Sequence, residues 1–318
     1  MNPPYKITTE ILQLITSISE KIGQINAKFL DKPSPKLRKE NRIKTIHSSL
    51  SIEGNTLTEE QITALIENKR IIGPEKDVNE VLNAIRVYDQ LNSFNPNSVK
   101  SFLGAHEILM TGLVADYGKF RKKGVGIVAG DKLAHMAPPA ENVPHLINDL
   151  FSYLKTSNEI TLIKSCVFHY EMEFIHPFSD GNGRMGRLWQ TLILMNEYPL
   201  FEFIPFENII HKTQGEYYKS LSNSDKAGNS TPFIKYMLNV INDSLYNMLD
   251  FKSQIMCSED RLNYFSETCE FKFRRKDYMK VFKTISTATA SRDLKMGVEI
   301  GLFEKEGDKT NTIYRTIK

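Results

Sequence analysis

Residues 176–187 read HPFSDGNGRMGR, a stretch that holds a histidine, an aspartate, three glycines and two arginines. An apolar, helix-like run precedes it through Leu162, Ile163, Val167, Phe168, Phe174 and Ile175. His176-Pro177 predicts the end of that helix, because the residue before a proline is pushed out of the αR region. A second helix is predicted to begin near Arg184. Between them, Gly181-Asn182-Gly183 permits positive φ and close backbone approach, so several N–H groups can converge on an anion at a helix N-terminus. Arg184 and Arg187, one turn apart, project from one face beside the same anion. The predicted ligand is a polyphosphate.

The chain around this stretch reads as mostly helical. Its 318 residues, 41% hydrophobic, allow a substantial core and two or three domains. Residues 8–30 carry Ile11, Leu14, Ile15, Ile18, Ile22, Ile25 and Phe29 at amphipathic helical spacing. A second helix runs through Leu37, Ile43, Ile46 and Leu50 to Glu53-Gly54-Asn55, where Gly54 suits the position after a helix end. Thr58-x-x-Gln61 has the form of a capping box and starts a third, which Gly73-Pro74 is expected to close. Residues 77–92 and 98–110 continue the helical pattern. Residues 119–139, KFRKKGVGIVAGDKLAHMAPP, break it and predict a β-hairpin turning at Gly130-Asp131. Helical patterns resume from Val143 and cover roughly 208–222 and 232–249.

Beyond Phe251, helices over 275–283 and 287–300 precede two apolar pairs flanking the polar turn Gly307 to Thr310. That is the order of a winged helix-turn-helix. From Phe271 to Lys318 there are twelve Lys/Arg against six Asp/Glu, so this part carries +6 while the whole chain carries +3. Cys166, Cys257 and Cys269 lack CxxC spacing and fit a reducing cytosol. The N-terminus lacks a basic segment followed by an apolar one, and no run approaches the ~18 apolar residues of a membrane span. The expectation is a soluble, cytoplasmic protein with no membrane partner.

Within the central stretch, the His176 imidazole can take a proton from a hydroxyl near neutral pH. Asp180 is placed to hold Mg²⁺, which prefers one or two carboxylates plus phosphate oxygens. Arg184 and Arg187 can neutralise phosphate charge. The plain alternative is a glycine-rich helix start, which would not require the histidine, the aspartate and both arginines. His47, His106, His145, His169 and His211 lack metal-ligand spacing and are read as packing residues.

HPFSDGNGRMGR resembles the Fic family signature HPFx[DE]GNGRxxR at every defined position, with Ser179 in the variable fourth place. The resemblance implies transfer of AMP from ATP to Ser, Thr or Tyr hydroxyls of target proteins. It makes His176 the base, Asp180 the Mg²⁺ ligand, Gly181, Asn182, Gly183 and Gly186 part of the nucleotide site, and Arg184 and Arg187 the phosphate clamp. Phe178 would be a core anchor. The hairpin stands where the family carries a flap that pairs with an extended target segment. Val125, Gly126, Ile127 and Val128 would then touch target and nucleotide; a purely structural hairpin is the alternative. Tyr218 is the adenine-pocket candidate, although a Tyr217-Tyr218 pair on a helix is as often core.

Ser49 to Asn55, SLSIEGN, resembles the family's inhibitory motif [ST]xxxE[GN], with Ser49, Glu53 and Gly54 at the defined places. It implies that Glu53 pairs with Arg187 and displaces the γ-phosphate from it; whether within one chain or across an interface stays open. The C-terminal part resembles winged-helix modules appended to Fic proteins. Its basic residues Arg274, Arg275, Lys276, Arg292 and Lys295 suit nucleic acid, with protein docking the alternative.

The reading is therefore an N-terminal helical region (1–95), a Fic core with a β-hairpin flap (96–250) and a winged helix-turn-helix (251–318). The expected function is an ATP- and Mg²⁺-dependent protein adenylyltransferase restrained by Glu53. The alternatives are removal of AMP or another phosphate-group transfer at the same site, or a nucleotide-sensing DNA-binding regulator. Self-modification and homodimerisation stay open.

Overall fold

The computed structural model describes residues 3–28, 35–129, 132–254, 258–269, 272–282, 285–307 and 312–317. Gly130-Asp131, Cys257, Phe271 and most of the turn from Gly307 to Thr310 lie outside them. The chain divides into two compact units, Met1–Leu245 and Tyr246–Lys318.

The first unit is built from helices whose apolar stripes face one another. α1 (Thr9–Lys28) buries Ile11, Ile18, Ile22 and Ile25, the i, i+7, i+11, i+14 side of the predicted pattern. α2 (Pro35–Ile52) ends where expected, with Gly54 at φ 92°. The capping box is present at the start of α3 (Glu59–Ile66): Thr58 Oγ1 accepts from the Gln61 N–H, and Gln61 Oε1 from the Thr58 N–H. α3 does not continue to Gly73. Asn68 turns left-handed at φ 56° and the Lys69 N–H donates to the Ala64 carbonyl at 2.8 Å, so asparagine performs the closure that the sequence reading gave to glycine and proline.

α4 (Glu75–Asp89) and α5 (Val99–Met110) follow, then a two-stranded antiparallel hairpin of β1 (Gly126–Ala129) and β2 (Lys132–Met136), with Gly126 opposite Met136 and a shift of register after Ile127. α6 (Val143–Thr156) and α7 (Thr161–Ile175) lead to the central loop and α8 (Asn182–Glu197). α7 and α8 form the middle of the unit, and their side chains are buried almost all round, including Trp189, Phe168 and Cys166. A 3-10 turn, Pro199–Phe203, precedes α9 (Glu207–Lys212) and α10 (Gln214–Ala227). The single pattern expected over 208–222 is therefore two helices, broken at Thr213 (φ −117°, ψ 33°). α11 (Thr231–Gln254) contains the division between the units.

The second unit comprises α12 (Ser258–Thr268), β3 (Lys272–Phe273), α13 (Arg275–Val281), α14 (Thr287–Glu299), β4 (Phe303–Glu306) and β5 (Ile313–Thr316). Its sheet has the order β3-β5-β4, antiparallel throughout, so helix, turn, helix and hairpin appear as expected while α12 and β3 are additions. Its core is Leu262, Phe265, Phe273, Tyr278, Phe282, Ala290, Leu294 and Phe303. Asp293, buried in α14, accepts from Arg261 at 2.6 and 2.8 Å and from the Tyr278 hydroxyl at 3.1 Å, which fixes the rotation of that helix. No helix among the described residues is long and apolar enough to cross a membrane.

Candidate active site

His176 closes α7. Its N–H donates to the Met172 carbonyl at 3.0 Å and its backbone turns left-handed (φ 48°, ψ 63°), a strained conformation for a residue with a β-carbon. What holds it there is Arg121, a residue absent from the sequence reading. The Arg121 guanidinium is buried and donates to the carbonyls of His176 (2.7 Å), Ile175 (3.3 Å), Lys123 (2.8 Å) and Pro138 (2.5 Å). One cation thus ties the stretches flanking the hairpin to the backbone of the histidine.

The loop after His176 is clamped from both sides. Phe178 is fully buried among Phe102, Phe120 and His106, so the expected anchor is in place. The Asn182 side chain receives the Phe178 N–H and donates to the Phe178 carbonyl, both at 2.9 Å. Its amide group is therefore occupied in shaping the loop. His106 stacks on the Phe178 ring at 3.6 Å; its Nδ1 accepts from the Gly118 N–H, so its Nε2 carries the hydrogen and donates to the Asp180 carbonyl at 3.0 Å. Burial pushes its pKa down to about 4, consistent with that neutral tautomer.

α8 starts at Asn182, two residues before the expected position, after Gly181 at φ 85°. A β-carbon on Gly181 would meet Met110 Sδ at 2.7 Å, and one on Gly183 would overlap Glu53 Oε1 and lie 3.1 Å from Arg187 Nη1. Gly183 is thus the open floor of a small cradle beneath two charged groups. Gly186 faces His169 and Glu173 of α7 instead, where a β-carbon would lie 2.8 to 2.9 Å from them.

The two arginines are held by different partners. Arg184 donates to Asp180 Oδ1 at 2.9 Å and to Glu80 Oε1 at 3.2 Å. Glu80, on α4, also accepts from Asn55 Nδ2 at 2.8 Å, which links the residue after the Glu53-Gly54 pair to the glycine loop. Arg187 is fully buried; it donates from Nε to Ser49 Oγ (3.1 Å) and from Nη2 to the Ser49 carbonyl (2.9 Å) and Glu53 Oε1 (2.8 Å). All these contacts lie within one chain. Burial is the largest single influence and disfavours the charge of Arg187, but Glu53, Tyr217 and Glu173 together outweigh it and hold the guanidinium above its ordinary pKa. Arg187 Nη1 is buried without a hydrogen bond, beside Gly183. An unsatisfied cationic donor over a glycine floor is a place for an anionic oxygen.

Asp180 Oδ1 accepts from the Gly181 N–H at 2.5 Å and from Arg184, and the side chain is about half exposed. No group of three His, Cys, Asp or Glu side chains among the described residues could hold a metal, so Asp180 stands as a single carboxylate. Val125 is half-buried at the foot of β1, whose Gly126, Ile127 and Val128 pair with β2. On α10, Tyr217 is buried with its hydroxyl 3.0 Å from His169 Nε2, whereas Tyr218 is 47% exposed and packs edge-on against Tyr217. Gln214 reaches from the same helix to the Ile52 carbonyl at 2.8 Å, at the end of α2.

The stretch 176–187 lies within a match to a known family. Residues 96–194 match the profile of the Fic/DOC family. Among curated proteins, the chain is 28% identical over 205 residues to protein adenylyltransferase fic-1 of Caenorhabditis briggsae, covering 60% of this chain and 38% of that one. It is 28% identical over 154 residues to a probable protein adenylyltransferase of Aquifex aeolicus, covering 44% and 48%. The chain thus spans less than half the length of either. The structure of Fic-1 from Caenorhabditis elegans shares the fold, at 22% identity and a TM-score of 0.63 over 76% of this chain and 72% of that one. A crystal structure of a Fic family protein from Desulfovibrio desulfuricans G20 matches at 39% identity and a TM-score of 0.77, over 100% of this chain and 98% of that one. With that full-length likeness, the chain belongs to the Fic/DOC family.

Proposed function

We propose that the protein transfers AMP from ATP to Ser, Thr or Tyr hydroxyls of target proteins, and that Glu53 restrains it. Support for the transfer comes from the curated relatives named protein adenylyltransferase and from the cradle at the start of α8. The phosphate chain would lie along the N–H groups of Gly181 to Gly183, against Arg184 and Arg187. His176 takes the proton of the target hydroxyl, whose oxygen attacks the α-phosphorus; the new P–O bond forms as the α–β anhydride bond breaks and pyrophosphate leaves. Arg121 holds the His176 backbone through this step. Bound Mg²⁺, with Asp180 as its protein carboxylate, would neutralise charge on the phosphates. β1 has a partner on one edge only among the described strands, so its other edge suits an extended target segment.

The observation that carries the restraint is the position of Glu53 Oε1, 2.8 Å from Arg187 Nη2 and against the Gly183 floor. A carboxylate there takes the place a phosphate oxygen needs. Charged hydrogen bonds contribute about 1.5 to 3 kcal/mol, so Glu53→Gly is expected to raise adenylylation roughly tenfold or more. Incubation with α-labelled ATP and Mg²⁺ tests both parts. Label that rises in Glu53→Gly and vanishes in His176→Ala supports them; equal label in wild type and Glu53→Gly removes the restraint, and no label in either removes the transfer.

A further inference from the structure

A cavity of about 290 Å³ opens between α2, α4, α8 and the 3-10 turn Pro199–Phe203, apart from the glycine cradle. Its apolar walls include Tyr88, Phe201 and Phe203. Its polar wall is α2, which contributes Arg38, Arg42 and Thr45. The Arg38 guanidinium lies 5.9 Å from the Phe203 ring centroid, and its Nε is buried without a hydrogen bond. Arg42 donates to Asp89 and to the Ile85 carbonyl, yet its Nε is likewise buried and unsatisfied. Lys39 pairs with Glu67 at 2.6 Å, a carboxylate it shares with Lys69. Among the described residues Arg38 has no carboxylate partner. Apolar walls beside a cationic side chain are what a small-molecule site for an anion presents. Glu202 also lines the cavity and opposes a second negative charge on an occupant.

We propose that this cavity binds a small organic monoanion with a flat apolar body, an aromatic carboxylate, with the carboxylate on Arg38 and the ring against Phe203 and Tyr88. The volume is at the lower end of ligand pockets and suits a single ring. The stripe that forms the polar wall continues into the Arg187 contact: Arg38, Arg42, Thr45 and Ser49 recur at helical spacing along one side of α2, and Glu53 follows in the turn just past its end. Across from it, Thr191 lines the cavity and donates to the Arg187 carbonyl at 3.2 Å. A ligand that bridges α2 to the 3-10 turn favours the docked position of α2, and with it the Glu53–Arg187 pair. This second step rests on the restraint proposed above; the binding step does not.

The ¹⁹F resonance of 4-fluorobenzoate titrated with the full chain reads binding directly. A saturable shift is expected, weakened about tenfold or more in Arg38→Met, which keeps the apolar stem but loses the charged donor. 4-Fluorobenzyl alcohol, without the charge, is expected not to bind. No saturable shift at millimolar probe, equal binding by Arg38→Met, or equal binding of the alcohol overturns the site. In the labelling assay, 4-fluorobenzoate is expected to lower self-labelling of wild type and leave Glu53→Gly unchanged. Equal inhibition of both overturns the coupling to α2. Absence of any labelling strikes the proposed activity, while the ¹⁹F titration still decides the site.

Discussion

Arg187 carries a charge with no exposure to solvent, and Glu53 is its carboxylate partner. Removing one member of a buried ion pair strands the other, at a cost of about 3–5 kcal/mol when the pair is fully buried. Glu53 is 29% exposed, so the cost here is smaller. Glu53→Gly should therefore lower the melting temperature while raising activity, and ATP should restore the melting temperature more than it raises that of wild type. Calorimetry with and without ATP checks this. Arg121 yields a second expectation. Arg121→Met leaves four backbone carbonyls without their donor, so self-labelling by Arg121→Met, Glu53→Gly should fall about tenfold or more below that of Glu53→Gly, with a smaller fall for lysine, which retains the charge. The Glu53–Arg187 contact could be anticipated because both residues stand in short patterns. Arg121 and Glu80 could not: a lone arginine in a basic run and an acid on an amphipathic helix look like solvated surface until the fold folds them inward.

At the scale of elements, glycines mark where sequence reading and structure meet. Gly181 was legible as a helix-start residue because its loop needs positive φ. Gly297 lies inside α14, where helix propensity alone would count it as a defect. In the fold it is a contact: a β-carbon there would lie 2.6 Å from Phe303 and 2.9 Å from Leu262. Gly297→Ala would gain about 1 kcal/mol of helix propensity and lose roughly 1–3 to overpacking. The net expectation is faster hydrogen exchange of the α14 amides. The stop of α3 at Ile66 and the break at Thr213 escaped notice for a related reason. Asn68 and Thr213 acquire their roles from backbone geometry that no apolar periodicity records.

Across the whole molecule, buried titratable groups set the response to pH. Burial raises the carboxyl of Glu207 from 4.5 to about 8, and those of Glu171 and Glu173 to about 7. The folded state then keeps protons that the unfolded state releases, so this stability is complete below 4.5 and is lost as pH climbs through the folded values. His106 and His169 act oppositely: burial lowers them from 6.5 to about 4 and about 3, so stability rises with pH until 6.5 and they are silent above it. Between pH 6.5 and 8 about half of the decline belongs to Glu207, whose carboxyl burial raises furthest, and the rest to Glu171 and Glu173. Glu207→Gln should flatten that decline, as read by melting temperatures at pH 6.5 and 8. The mostly helical class and the order of elements in each unit were legible from periodicity; the additions α12 and β3 were not, since β3 is two residues long. The Glu53–Arg187 contact also has a direction in time. Its members are 134 residues apart, and Glu53 comes first. At roughly 5–20 residues per second, the ribosome adds Arg187 on the order of ten seconds after Glu53. The carboxylate is therefore already waiting when the arginine emerges, and a nascent chain never holds a completed glycine cradle without the residue that covers it.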